Sequence, residues 1–128
     1  MPTWSEYKET ARGRGALALE LFVVQSTPAK DPATLQATLP DHLAYQQTLE
    51  TSGQLAFAGP VSDATGTLMQ GAGMIIYRAA SLEAARKLAE ADPMHKTGAR
   101  TFTICAWLIN EGSLSLNIGL STKAVVMG

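Results

Sequence analysis

The chain has 128 residues, which allows one hydrophobic core and is too short for two independent ones. With 46% hydrophobic and 16% charged residues, it has a globular composition and not that of a disordered segment. Ten basic against eleven acidic residues give a net charge of −1, so no electrostatic footprint for nucleic acid exists.

Thr3-Trp4-Ser5-Glu6 fits a capping box, and Trp4, Tyr7 and Ala11 then share one helical face, so a helix is expected over residues 3–13. Leu17–Val24 reads as a strand closed by Ser26-Thr27-Pro28. Its apolar run is broken by Glu20 and falls far short of the roughly 20 residues that span a bilayer, so no membrane association is expected. Asp31-Pro32 can open a short turn. Thr38-Leu39-Pro40-Asp41 predicts a helix start, and that helix runs to about Ser52 with Gly53 as its terminator. Gln54–Ala58 and Gly71–Tyr77 are strands around a polar loop at Ser62–Gly66. Ser81 caps a helix through Ala91, which Asp92-Pro93 breaks. Thr101–Ile109 is a long strand, and its lone Cys105 reads as a buried small hydrophobe. One cysteine excludes an internal disulfide and suits a reduced, cytoplasmic protein. Leu114, Leu116, Ile118 and Leu120 alternate with small polar residues, which predicts a final strand over 113–121.

The central order β-α-β-β-α-β matches the ferredoxin-like α+β arrangement, with both helices on one face of a four-stranded antiparallel sheet. The first and fourth strands carry apolar residues on both faces: Leu21 and Val23 against Phe22 and Val24, and Ile104 and Ala106 against Cys105 and Trp107. Helices cover one face. A second subunit is the economical cover for the other, which predicts a homodimer or a larger assembly.

Two histidines make acid–base chemistry near neutral pH a question about His42 and His95. Helical spacing puts His42 and Gln46 among Leu39, Leu43, Tyr45 and Leu49, and Asp92 extends the inward face of Leu82, Ala85, Leu88 and Ala89. Both point inward at the same end of the fold. A carboxylate that fixes an imidazole tautomer leaves the other ring nitrogen free for proton transfer. A core histidine bonded to backbone, and an aspartate that merely ends a helix, are the plainer alternatives. Ser26, Gln46, His95 and Arg100 fall near the same end as candidate ligand-binding residues. The guanidinium fork of Arg100 suits planar anions, although it can equally pair with Asp92 or Glu90. Two histidines without a spaced carboxylate cluster predict no metal site, no phosphate-binding glycine loop is convincing, and no cofactor is expected.

Pro40-Asp41-His42-Leu43, Gly53-Gln54-Leu55, Ala58-Gly59-Pro60 and Ser81-Leu82-Glu83-Ala84-Ala85 through Ala91-Asp92-Pro93 together resemble the YCII-related domain family over residues 17–110. The resemblance implies a ferredoxin-like dimeric α+β barrel with a His–Asp pair, here His42 and Asp92, as its active site. Met94 stands where an aromatic residue commonly follows Asp-Pro in that family, and the N-terminal helix and last strand are additions to its core. The function so implied is cofactor-free acid–base chemistry by an isomerase, lyase or hydrolase on a small cyclic or aromatic metabolite. The alternative is a non-enzymatic module that binds a small molecule or acts as an accessory subunit.

Overall fold

The apolar run after Gly15 forms β1, Leu19–Pro28, in a computed structural model that describes residues 1–128. The strand outlasts its apolar stretch because pairing holds it extended. Gln25 and Ser26 lie opposite Met74 and Gly73 of β3, Gly73–Tyr77. Ser26 is therefore a strand residue and not part of a turn. β2, Leu55–Pro60, pairs with the other edge of β3 through an irregularity between Leu55 and Phe57. β4, Arg100–Ile109, completes a sheet in the order β2-β3-β1-β4, with β3 antiparallel to both β1 and β2.

The helix expected to start near Pro40 begins a full two turns earlier. α2 spans Pro32–Ser52, capped by the Asp31 carboxylate, which accepts the Thr34 N–H at 3.3 Å, with a proline in its first turn. That cap and the pre-set φ of Pro32 make Asp31-Pro32 the stronger start signal. Pro40 is left inside the helix, where it has no N–H to donate. α2 ends at Gly53, whose φ of 82° is left-handed. α3, Leu82–Ala91, is capped by Ser81. Asp92 both ends α3 and caps a short helix that the sequence reading missed, α4, Pro93–Lys96.

The sequence β1-α2-β2-β3-α3-β4 with this sheet order is the ferredoxin-like α+β fold. Its core joins Phe22 and Val24 of β1 and Ile75 and Tyr77 of β3 to Leu49 of α2 and Ala85 and Ala89 of α3. Phe102, Ile104 and Ala106 pack against that cluster from β4. On the opposite sheet face Leu21, Val23 and Ile76 are buried, while Phe57 and Trp107 stay 63% and 45% exposed. Cys105 lies on that face and is exposed, contrary to the expectation of burial. Alternation correctly separates the faces of β4, but it does not say whether a face is covered.

This core belongs to one of two units, Glu20–Trp107; the other unites Met1–Leu19 with Leu108–Gly128. In the second, α1 spans Trp4–Gly13 behind the expected capping box of Thr3 and Glu6. Ala11, Ala18 and Leu108 form its small core, and the Leu17 N–H donates to the Asn110 carbonyl at 3.0 Å. The long last strand expected over 113–121 is reduced to β5, Leu116–Ile118, paired with β6, Val125–Met127. A turn closed by the Gly119 N–H to the Ala124 carbonyl at 2.9 Å reverses the chain before the alternating pattern ends. No helix is long and apolar enough to cross a membrane.

Candidate active site

The register between α2 and α3 sets the site. The Tyr45 hydroxyl donates to the Leu88 carbonyl at 2.7 Å. His42 lies one turn before Tyr45, and Asp92 lies one turn after Leu88, so one helix-to-helix contact brings the next pair together. His42 Nδ1 is 2.8 Å from both carboxylate oxygens of Asp92. A carboxylate only accepts, so Nδ1 carries a proton, and in the neutral ring the lone pair then sits on Nε2. Asp92 is fully buried, and its Oδ1 also accepts the Met94 N–H at 2.9 Å. The carboxylate is thereby fixed from two sides, by a helix cap and by the imidazole. Burial, with some help from Asp92, raises the pKa of Tyr45 above the usual phenol range, so its hydroxyl serves as a neutral donor.

A second network lies beside the first. His95 Nδ1 is 2.8 Å from the Ala89 carbonyl, which only accepts, so this ring too is protonated at Nδ1. Its Nε2 lies 2.8 Å from the Ser26 hydroxyl. Ser26 Oγ also accepts the Arg100 Nε–H at 2.8 Å, so its own proton is left for His95. Arg100 Nη2 donates to the Ser26 carbonyl at 2.9 Å and to the Gly71 carbonyl. Burial holds the His95 pKa below its ordinary value, with Arg100 and His42 adding repulsion, while the Ala89 bond and Asp92 oppose it. The ring also packs on Phe102, with centroids 4.7 Å apart.

A cleft of about 400 Å³ opens between these networks. Ser26, His42, Gln46 and Arg100 supply its polar lining, and Leu39, Leu43, Met69, Met74 and Met94 much of its apolar wall. The size suits a small ring compound. Of the residues expected at the site, His42 and Asp92 meet directly, and Ser26, Gln46 and Arg100 reach the cleft. His95 stands behind Ser26 in α4 and is absent from the lining. Leu39 and Leu43 are cleft walls, 40% and 54% exposed, and not core residues. The sequence reading missed Gly71, Met69 and Met74. No local pattern marks them: Met69 and Gly71 lie in the connection between β2 and β3, and Met74 near the start of β3. No group of three or more His, Cys, Asp or Glu side chains converges in the structure.

The chain is 33% identical over 70 residues to the uncharacterized protein YjpA of Bacillus subtilis (strain 168), covering 55% of this chain and 75% of that protein. Among solved structures it is similar to the 5-chloro-2-hydroxyhydroquinone dehydrochlorinase (TftG) of Burkholderia phenoliruptrix AC1100, in complex with 2,5-dihydroxybenzoquinone. The TM-score is 0.51 at 25% identity, covering 68% of this chain and 92% of that one. The YCII-related domain matches residues 19–108. With 70% of its length inside that match, which holds both His42 and Asp92, the chain belongs to the YCII-related domain family.

Proposed function

We propose that the protein is a cofactor-free enzyme in which His42, held by Asp92, moves a proton on a small cyclic or aromatic metabolite. The observation that carries this reading is the His42 Nδ1–Asp92 contact at 2.8 Å beside a ring-sized cleft, with Nε2 left without a protein partner. Nε2 takes a proton from substrate carbon while Asp92 stays ionised and faces the positive charge that develops on the ring. The electron pair of the broken C–H bond then has two outlets. It can shift a double bond, after which Nε2–H returns the proton elsewhere on the ring, an isomerisation. It can instead form a new double bond as a leaving group departs with its own electron pair, an elimination. Hydrolysis fits the same pair, with water as the proton source and its oxygen as the attacking atom. The dehydrochlorinase neighbour, an enzyme acting on an aromatic compound, favours elimination among the three. Gln46 and Arg100 complete the substrate-binding side, and Ser26 and His95 support it by holding Arg100.

The test is turnover of a substrate found by screening hydroxylated and halogenated ring compounds. We expect His42→Ala to lose turnover while the fold, followed by circular dichroism, is kept. Saturable binding without any turnover, little changed by Asp92→Asn, would identify the cleft as a binding module instead.

We also propose that the working unit is a homodimer. Phe57, Met74, Ile76 and Trp107 line an uncharged groove on the sheet face away from the core. Two copies meeting through this face across a two-fold axis bury the same apolar surface on each. An unpaired thiol at Cys105 suits a reducing compartment, and we assign the protein to the cytoplasm.

A further inference from the structure

We infer that Arg100, aimed by Ser26 and His95, is the anchor for an anionic oxygen on the ligand, so that the cleft takes a small organic anion and not a neutral ring. The anion is a carboxylate or an ionised enol or phenol. This deepens the enzyme reading and rests on it only for the identity of the binding cleft.

Arg100 is a half-buried cation in contact with neutral groups alone. Its hydrogen bonds go to the Ser26 hydroxyl, the Ser26 carbonyl and the Gly71 carbonyl. No aspartate or glutamate lines the cleft. The buried carboxylate of Asp92 is spent on His42 and on the Met94 N–H. A desolvated charge without a counter-ion costs free energy, and an anion entering the cleft supplies the missing partner. Desolvation accordingly lowers the Arg100 pKa, with Asp92 only partly opposing it, yet a guanidinium stays charged at neutral pH.

The bonds are directional. Nε and Nη2 are engaged, which leaves the two N–H groups of Nη1 for a ligand. Ser26 is 4% exposed and uses its hydroxyl to accept from Arg100 and to donate to His95. His95 uses both nitrogens, one on Ser26 and one on the Ala89 carbonyl. Neither has a polar atom to spare for substrate. They are positioning residues, and what they position is the plane of the guanidinium.

Isothermal titration calorimetry of the full chain near neutral pH, with benzoate and its neutral isostere benzamide, tests the assignment. We expect benzoate to bind about tenfold tighter or better, the difference a charge-assisted bond makes. Arg100→Met brings the ratio close to one, and Arg100→Lys, which keeps the charge and loses the fork, leaves an intermediate ratio and serves if the Met variant does not fold. Ser26→Ala and His95→Phe lower the ratio several-fold, and His95→Gln, which restores an acceptor at the Nε2 position, recovers it. His42→Ala keeps the ratio. Proton transfer and anion capture therefore fail separately, the first on turnover and the second on this ratio. Equal affinities in the natural protein, no saturable benzoate binding at millimolar concentration, a ratio that survives Arg100→Met, or one that disappears in His42→Ala each overturns the assignment.

Discussion

Asp92 carries two loads at once, and its substitution separates them. Asparagine can keep the cap on the Met94 N–H with its one carbonyl oxygen but turns an amide donor toward His42 Nδ1. The imidazole then moves its proton to Nε2 and loses the lone pair that faces the cleft. We expect Asp92→Asn to cut turnover by about 10²–10⁴. Its stability cost is expected to be smaller, about 1–3 kcal/mol by urea denaturation, because a buried hydrogen bond is weakened. His95 gives a pH signature. Its proton binds less readily in the folded protein, so the unfolded chain takes up a proton first as pH falls below about 6.5. The stability His95 contributes is full above that pH and is lost as pH falls through the lowered folded value. Melting temperatures of the natural protein should therefore fall more steeply below about 6.5 than those of His95→Gln. Parallel curves would mean that His95 does not titrate differently in the two states. His42 and Asp92 were legible from sequence because helical spacing relates His42 to Tyr45 and Leu49 in α2, and Asp92 to Leu88 and Ala89 in α3. His95 was less so, since a four-residue helix has no periodicity to read.

Two glycines show how elements hold the site, each for a different reason. Gly53 ends α2 at a left-handed φ of 82° with open space around its absent Cβ, so only backbone strain opposes a side chain there. Gly53→Ala should cost about 1 kcal/mol in urea unfolding and leave ligand affinity alone. Gly71 has φ +94°, and a Cβ would meet Pro28 Cγ at 2.7 Å, while its carbonyl accepts from Arg100. Gly71→Ala should cost more, about 1–3 kcal/mol, and should also weaken benzoate binding, because strain displaces an acceptor that holds Arg100. Equal effects of the two substitutions on binding would refute the coupling. Gly53 was readable as a terminator because a helix pattern precedes it. Gly71 was not, because its strain arises from Pro28, which β1 brings beside it across the sheet. The same distinction explains the start of α2. Thr38–Asp41 has a respectable local signal, yet Asp31-Pro32 has both a cap and a proline in the first turn, and the longer helix results.

At the scale of the molecule, the two-sided apolar character of β1 and β4 was legible, and its consequence is sharper in three dimensions. The chain buries Leu21, Val23 and Ile76 on the far face by itself, so a partner is not needed for the middle of the sheet. What remains is narrower. Phe57 is 63% exposed and Trp107 45%, and both line the same uncharged groove with Met74 and Ile76. Aromatic anchors in a groove free of charge concentrate binding energy in few residues. One charge on the anchor should therefore separate the copies without disturbing the core, which lies on the other face of the sheet. We expect the natural protein to sediment as a dimer at micromolar concentration and Phe57→Glu to sediment as a monomer with an unchanged circular dichroism spectrum. Truncation of a buried aromatic anchor typically costs an interface about 2–4 kcal/mol, a 30- to 1,000-fold loss of affinity, so the shift falls within reach of a dilution series. A natural protein that is already monomeric at that concentration, or a Phe57→Glu variant that stays dimeric, would move the contact elsewhere and leave this groove without a partner.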